Sequence, residues 1–193
     1  MTHTLVWSGP FTLHPQGAAS LFAADLAKSP GLYVWTVAAV TGRRAYYVGE
    51  TSTSFAARHR EHLRSYRTGS YSIHSSTRLR EGSIDPVYQG FIYSRRAKAT
   101  QLPIFMARRA ELEAELAKVL DLVDVYAAPL VADQRTRRRL ETGILDVILR
   151  CGSGLAGFEH EKWSRWPRLA TELPITASLY GLPLVWLRDQ FEA

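Results

Sequence analysis

Five residues have side chains and spacing suited to acting together: Tyr33, Tyr47, Arg58, His62 and Glu141. Tyr33 stands in Gly31-Leu32-Tyr33, and Tyr47 stands in Tyr47-Val48-Gly49. Arg58 and His62 are four apart, so on a helix they share one face. A guanidinium presents a rigid fork that matches phosphate oxygens. An imidazole exchanges a proton near neutral pH or donates a hydrogen bond to a phosphate. Glu141 lies beside an apolar stripe, and one carboxylate with waters and a phosphate suffices to hold Mg²⁺ or Mn²⁺. Each also has a plainer use. Tyrosines are common half-buried strand residues. Arg58 and His62 sit among His59, Arg60, Arg64 and Arg67, which fits a solvated basic helix. Glu141 can pair with Arg137 or Arg138 on its own helix. Glu111, Glu113 and Glu115 are rival carboxylates.

These groups need elements to position them. Residues 31–40 and 45–50 are rich in β-branched and aromatic types around Thr41-Gly42-Arg43-Arg44, which predicts a hairpin. A hairpin brings Tyr33 and Tyr47 to the same end. Its register is not legible, and a one-residue slip turns one phenol to the opposite face. Tyr46 is assigned to packing on the face away from Tyr47. Thr51 or Thr53 is expected to cap a helix running to about Tyr66, carrying Arg58 and His62. The Gly/Ser-rich connection TGSYSIHSS leads to a third expected strand at residues 87–94.

A helix is expected from about Phe105 to Tyr126, with Leu112, Leu116, Val119, Leu120 and Val123 in helical spacing. A second runs from about Arg135 to Arg150, with Leu140, Ile144, Leu145, Ile148 and Leu149 as its core side, stopped by Gly152 and Gly154. Ala18 to Lys28 reads as a short amphipathic helix ended by Ser29-Pro30-Gly31. Three of the five tryptophans lie in the tail after Phe158. Strands and helices in this order give an α+β domain.

The 193 residues suit one compact unit, with 46% hydrophobic and 22% charged side chains to build a core. The net charge of +6 favours a polyanionic partner and also serves solubility. The single cysteine, Cys151, excludes an internal disulfide and a paired-cysteine zinc site, and fits a reducing, cytoplasmic setting. No run is long and apolar enough to suggest a membrane span, and MTHTLVWSGPFTLHPQG is not expected to be a signal peptide.

The ordered set of Gly31-Leu32-Tyr33, Tyr47-Val48-Gly49, Arg58 with His62, and the Glu141 helix resembles the GIY-YIG nuclease superfamily over roughly residues 31–150. The resemblance implies a small three-stranded antiparallel sheet flanked by helices. Residues 1–30 and 155–193 are then extensions of a catalytic domain at 31–154. It implies metal-dependent hydrolysis of DNA phosphodiester bonds, with Mg²⁺ or Mn²⁺ held by Glu141. Tyr33 would position or deprotonate the attacking water, and Tyr47 would bond the nucleophile or the phosphate. Arg58 would steady phosphoryl charge, and His62 would assist Tyr33 or bind the phosphate. Many members carry an asparagine beyond the glutamate. This chain has none, and Ser153 stands about where it would fall. That departure motivates an alternative, a non-catalytic nucleic-acid-binding protein with the same fold. Arg43, Arg44, Arg64, Arg78, Arg95 and Arg96 are the candidate DNA contacts, since phosphate contacts supply affinity without sequence information. A homodimer is expected if both strands are cut symmetrically.

Overall fold

The computed structural model describes residues 2–92, 94–158, 166–184 and 190–192, with the backbone alone for Thr2, Arg95, Gln190 and Glu192. Its centre is a four-stranded antiparallel sheet. The strands are β2 (Ser8–Phe11), β3 (Gly31–Ala39), β4 (Gly42–Thr51) and β7 (Val123–Pro129), in the order β2-β7-β3-β4. β1 (Thr2–Thr4) pairs in parallel with β8 (Thr176–Ser178), which pairs with β9 (Gln190–Glu192), so the two chain ends share a small sheet. β5 (Ile73–His74) and β6 (Pro86–Tyr88) form a separate ribbon. The helices are α1 (Phe55–Arg67), α2 (Ser76–Arg80), α3 (Arg95–Ala107), α4 (Arg109–Leu122) and α5 (Gln134–Arg150). Among the described residues no helix is long and apolar enough to cross a membrane.

Strand β3 is buried on both faces because successive side chains alternate. Leu32 and Val34 join Val48, Leu140, Ile144 and Ile148 in one core, against α5 and the terminal sheet. Tyr33, Trp35 and Val37 join Phe55, Leu112 and Leu116 in the other, against α1 and α4. On α5, Leu140, Ile144, Leu145 and Ile148 are fully covered, whereas Leu149, expected in the core, is 38% exposed.

Four sequence expectations are corrected. The sheet has four strands, and its last member in the chain is β7, which begins inside the stretch read as the end of a helix. Leu116, Val119 and Val123 continue a helical spacing, but Val123 turns extended. From there Val-Asp-Val-Tyr-Ala-Ala-Pro pairs with β3 from Val37 to Gly31. The β-branched residues and a fully paired central position outweigh the helical pattern. The stretch 87–94 supplies only part of β6, and that strand lies outside the main sheet; its Tyr93 lies outside the described residues, as do Trp163 and Trp186 in the tail. Most of 95–107, assigned no helix, is α3, separated from α4 at Arg108. Ala18–Lys28 forms two short 3-10 turns, Leu21–Ala23 and Asp25–Lys28, because Ala24 is extended between them.

Candidate functional site

The hairpin register decides where the phenols point. Tyr33 pairs with Gly49 and Trp35 with Tyr47, but Thr36 pairs with Ala45. Tyr46 is the extra residue of a β-bulge, and the bulge turns Tyr46 and Tyr47 toward the same side. Both belong to the α1-facing core, and both rings lie near Trp35, at 6.3 and 5.6 Å between centroids. The assignment of Tyr46 to the face away from Tyr47 is therefore corrected.

The glycines of the two tripeptides are explained by close approach. A β-carbon on Gly49 would stand 2.4 Å from the Tyr33 phenol oxygen, so the ring lies on bare backbone. A β-carbon on Gly31 would stand 2.2 Å from the Ala128 carbonyl oxygen of β7.

Ser54 caps α1, accepting a bond from the Ala57 N–H at 3.1 Å, in place of the expected Thr51 or Thr53. The helix then brings Arg58 and His62 to Tyr33. Arg58 Nε donates to the Tyr33 oxygen at 3.3 Å, and that oxygen lies 2.7 Å from His62 Nε2. An arginine can only donate, so the phenol accepts from Arg58 through one lone pair, and it donates to His62 in the tautomer that leaves Nε2 unprotonated. The electrostatics keep both groups neutral. Burial, reinforced by Tyr47, holds the Tyr33 proton well above the usual phenol range, against the opposing Arg58. Burial, then Arg58 and His59, push His62 down to about 2. The Tyr47 ring stacks on Tyr33 with centroids 6.0 Å apart and lies 5.4 Å from the His62 ring.

His59 has a separate use. Its Nε2 accepts from Trp35 Nε1 at 2.9 Å, so its Nδ1 carries the proton and donates to the Phe55 carbonyl at 2.7 Å. Both ring nitrogens are bonded inside the protein, and burial pushes the pKa down to about 4.

Glu141 reaches the group from another direction. Its helix packs on the opposite face of the sheet from α1. Its carboxylate lies at β4, the edge strand, where the backbone N–H of Glu50 interacts with it. Its charge is felt at Tyr33, and the charge of Arg58 is felt at Glu141. Burial, with a smaller contribution from the Glu50 carboxylate, raises its pKa to about 7, against Arg138 and Arg58. Glu141 is 4% exposed, and its Oε2 has no hydrogen-bond partner.

That free atom depends on Glu50, which sequence reasoning missed. Arg137 Nε and Arg138 Nε each lie 2.9 Å from the Glu50 carboxylate, whereas Arg138 Nη1 stands 3.8 Å from Glu141. The arginines expected to compete for Glu141 are held mainly by Glu50. The available signal was an acidic residue directly after Tyr47-Val48-Gly49 in a buried strand. Tyr71 was also missed; its ring lies 5.6 Å from His62.

Among the described residues no three His, Cys, Asp or Glu side chains cluster as a metal cage. A buried carboxylate oxygen without a partner fits instead a hard cation that keeps most of its waters. The rival carboxylates are locally engaged. Glu111 and Glu113 pair with Arg108 and Arg109 at 2.6 and 2.7 Å, and Glu115 accepts from the Ser76 N–H at 2.6 Å.

The candidate DNA-contacting arginines divide. Arg43 pairs with Asp124 at 2.5 Å, and Arg44 bonds the Gly152 carbonyl at 2.5 Å, so both are engaged within the body. Arg64, Arg78 and Arg96 are exposed, with Arg78 paired to Glu81. The side chain of Arg95 lies outside the description. Ser153 is fully buried, and its carbonyl accepts from the Ala45 N–H at 2.9 Å. No family model matches the chain, and no curated protein or solved structure matches it either.

Proposed function

We propose that the protein is a metal-dependent endonuclease of the GIY-YIG type that hydrolyses DNA phosphodiester bonds. The observation that carries this reading is the convergence of Arg58 and His62 on the Tyr33 hydroxyl, electrostatically coupled to a Glu141 carboxylate whose buried Oε2 has no hydrogen-bond partner.

In hydrolysis a water oxygen bonds to phosphorus, the bond to the leaving oxygen breaks, and the water gives up a proton. The Tyr33 oxygen accepts that proton as its own passes to His62 Nε2. A phosphate beside His62 supplies the negative charge that makes the imidazolium tenable. Arg58 steadies the phosphoryl oxygens. Tyr47, stacked on Tyr33, lies within the same wall of the site and bonds the water or the phosphate. Glu141 would hold Mg²⁺ or Mn²⁺, which would supply charge neutralisation at the leaving oxygen. Tyr33 is fully covered in the free protein. Cleavage therefore requires a movement that admits water to Tyr33, and the Arg58 side chain, ion-paired at its outer end with Glu61 at 2.6 Å, exchanges that carboxylate for a phosphate.

The full burial of Tyr33 also favours the second reading, a DNA-binding protein that does not cut. Plasmid nicking with Mg²⁺ or Mn²⁺ against an EDTA control separates the two. Metal-dependent nicking that disappears in Tyr33→Phe supports the nuclease. Salt-sensitive binding without nicking leaves only the binder.

A further inference from the structure

We propose that α3 enters a groove of duplex DNA and gives the enzyme its target preference, a role that rests on the nuclease reading above. The helix touches the body along one narrow stripe. Phe105 is buried, and Ala97 and Gln101 are half-covered one turn apart before it. The Phe105 ring lies over Gly69, where a β-carbon would stand 2.6 Å away. Leu102 is half-covered too, and Arg96, Lys98, Thr100, Pro103, Ile104 and Met106 are exposed.

Its charge is one-sided. The sequence RRAKATQLPIFMA holds three cations and no carboxylate. Other helices carry carboxylates that neutralise some of their arginines locally, as in the pairs Arg58 with Glu61, Arg78 with Glu81 and Arg109 with Glu113. Arg96 and Lys98 make no ion pair with any described residue, and no acid occupies the first turn. Cations at that end also oppose the helix dipole. A polyanion compensates such an arrangement.

The helix also starts beside the candidate site. Backbone N–H groups of Phe91 and Ile92 both donate to the Ser70 carbonyl, at 2.9 and 3.0 Å. The next residue, Tyr71, faces His62. A bound duplex at His62 thus passes the first turn of α3. The major groove admits a helix, and Arg96, Thr100 and Ile104 share one exposed face at four-residue spacing. An arginine there reads guanine, and threonine and isoleucine offer methyl contacts to thymine. Lys98 contacts the phosphate backbone. The outward apolar residues Ile104 and Met106 invite comparison with a dimer face. An isologous contact would set the helix against itself, however, with no carboxylate to meet its cations.

The test uses the full chain. Wild type and the double variant Arg96→Ala/Lys98→Ala are titrated into a fluorescent random-sequence duplex in EDTA over a range of salt. Each is then given a plasmid pool with Mg²⁺, and the cut ends are sequenced. Circular dichroism checks that the variants fold. The double variant is expected to lose about 2 from the salt slope of binding, roughly one per cation. Arg96→Lys is expected to keep the slope and shift the bases found beside the cut. An unchanged slope and unchanged ends, with nicking intact, overturn the role of α3 and leave the nuclease standing. No binding and no nicking by wild type overturn both. Unchanged DNA binding, with a dimer that becomes monomeric in Ile104→Glu/Met106→Glu by ultracentrifugation, overturns the groove role in favour of self-association.

Discussion

The Tyr33 ring lies directly on the backbone of Gly49, its partner across the hairpin, where a β-carbon would come within 2.4 Å of the phenol oxygen. This contact joins the two tripeptides into one device, because the glycine of the second seats the tyrosine of the first. With the ring held there, its oxygen meets both Arg58 and His62.

Gly49→Ala is therefore expected to displace the phenol and to destabilise the fold by about 1 to 3 kcal/mol, the usual range for overpacking. Thermal unfolding and nicking assays measure both effects. Wild-type stability together with wild-type nicking would mean that the ring does not need this seat.

Tyr33→Phe keeps the ring and removes only the hydroxyl. A general-base role predicts a loss of roughly 10²- to 10⁴-fold in cleavage rate with duplex binding preserved. A variant that still cuts at half the original rate would remove Tyr33 from the chemistry.

Glu141 carries the metal prediction. Its pKa is raised to about 7, so the folded protein holds a proton that the unfolded chain releases above pH 4.5. Stability from this group is lost as pH rises from about 4.5 to about 7, by roughly 3 kcal/mol in all, and is level above. Glu141→Gln is expected to be the more stable protein at pH 8 without metal, and to have lost metal-dependent cleavage. Mn²⁺ is expected to raise the melting temperature of wild type and not of the variant. An equal rise in both would move the metal elsewhere.

Three histidines, His59 and His62 buried and His74 half-buried, act in the opposite sense. His59 and His74 are lowered to about 4 and His62 to about 2, chiefly by burial. Their neutral forms support the fold fully above the ordinary histidine pKa of about 6.5, and that support is lost as pH falls toward the folded values. Denaturant midpoints are expected to drop steeply between pH 6.5 and 4. A flat profile would mean that these rings protonate without disturbing their surroundings.

Glu61 occupies the outer end of the Arg58 guanidinium, where the proposed nuclease reading places a phosphate. Glu61→Gln removes that competition and is expected to tighten duplex binding roughly two- to fivefold at low salt, the scale of an exposed ion pair. Anisotropy titrations in the Tyr33→Phe background measure it. Weaker binding would show that Glu61 positions Arg58 instead of masking it.

Much of the local arrangement was legible in the sequence. β-branched runs around Thr41-Gly42 specify the hairpin, and the spacing of Arg58 and His62 places them on one helical face. The apolar stripe of α5 predicts the helix that carries Glu141. These are local properties, decided by backbone preference and by which side chains must leave water. What the sequence could not decide depended on partners far along the chain. Val123 to Tyr126 reads as the end of a helix until β3 is present to pair with it. Tyr46 reads as facing away from Tyr47 until the bulge inserts it as an unpaired residue. An ion pair of Glu141 with its own helix competes with the metal reading until Glu50, from β4, draws Arg137 and Arg138 closer. Side-chain types and helical spacing are written residue by residue. Strand register, bulges and the sharing of charges arise only when distant segments meet, because their energies belong to pairs that close only in the folded chain.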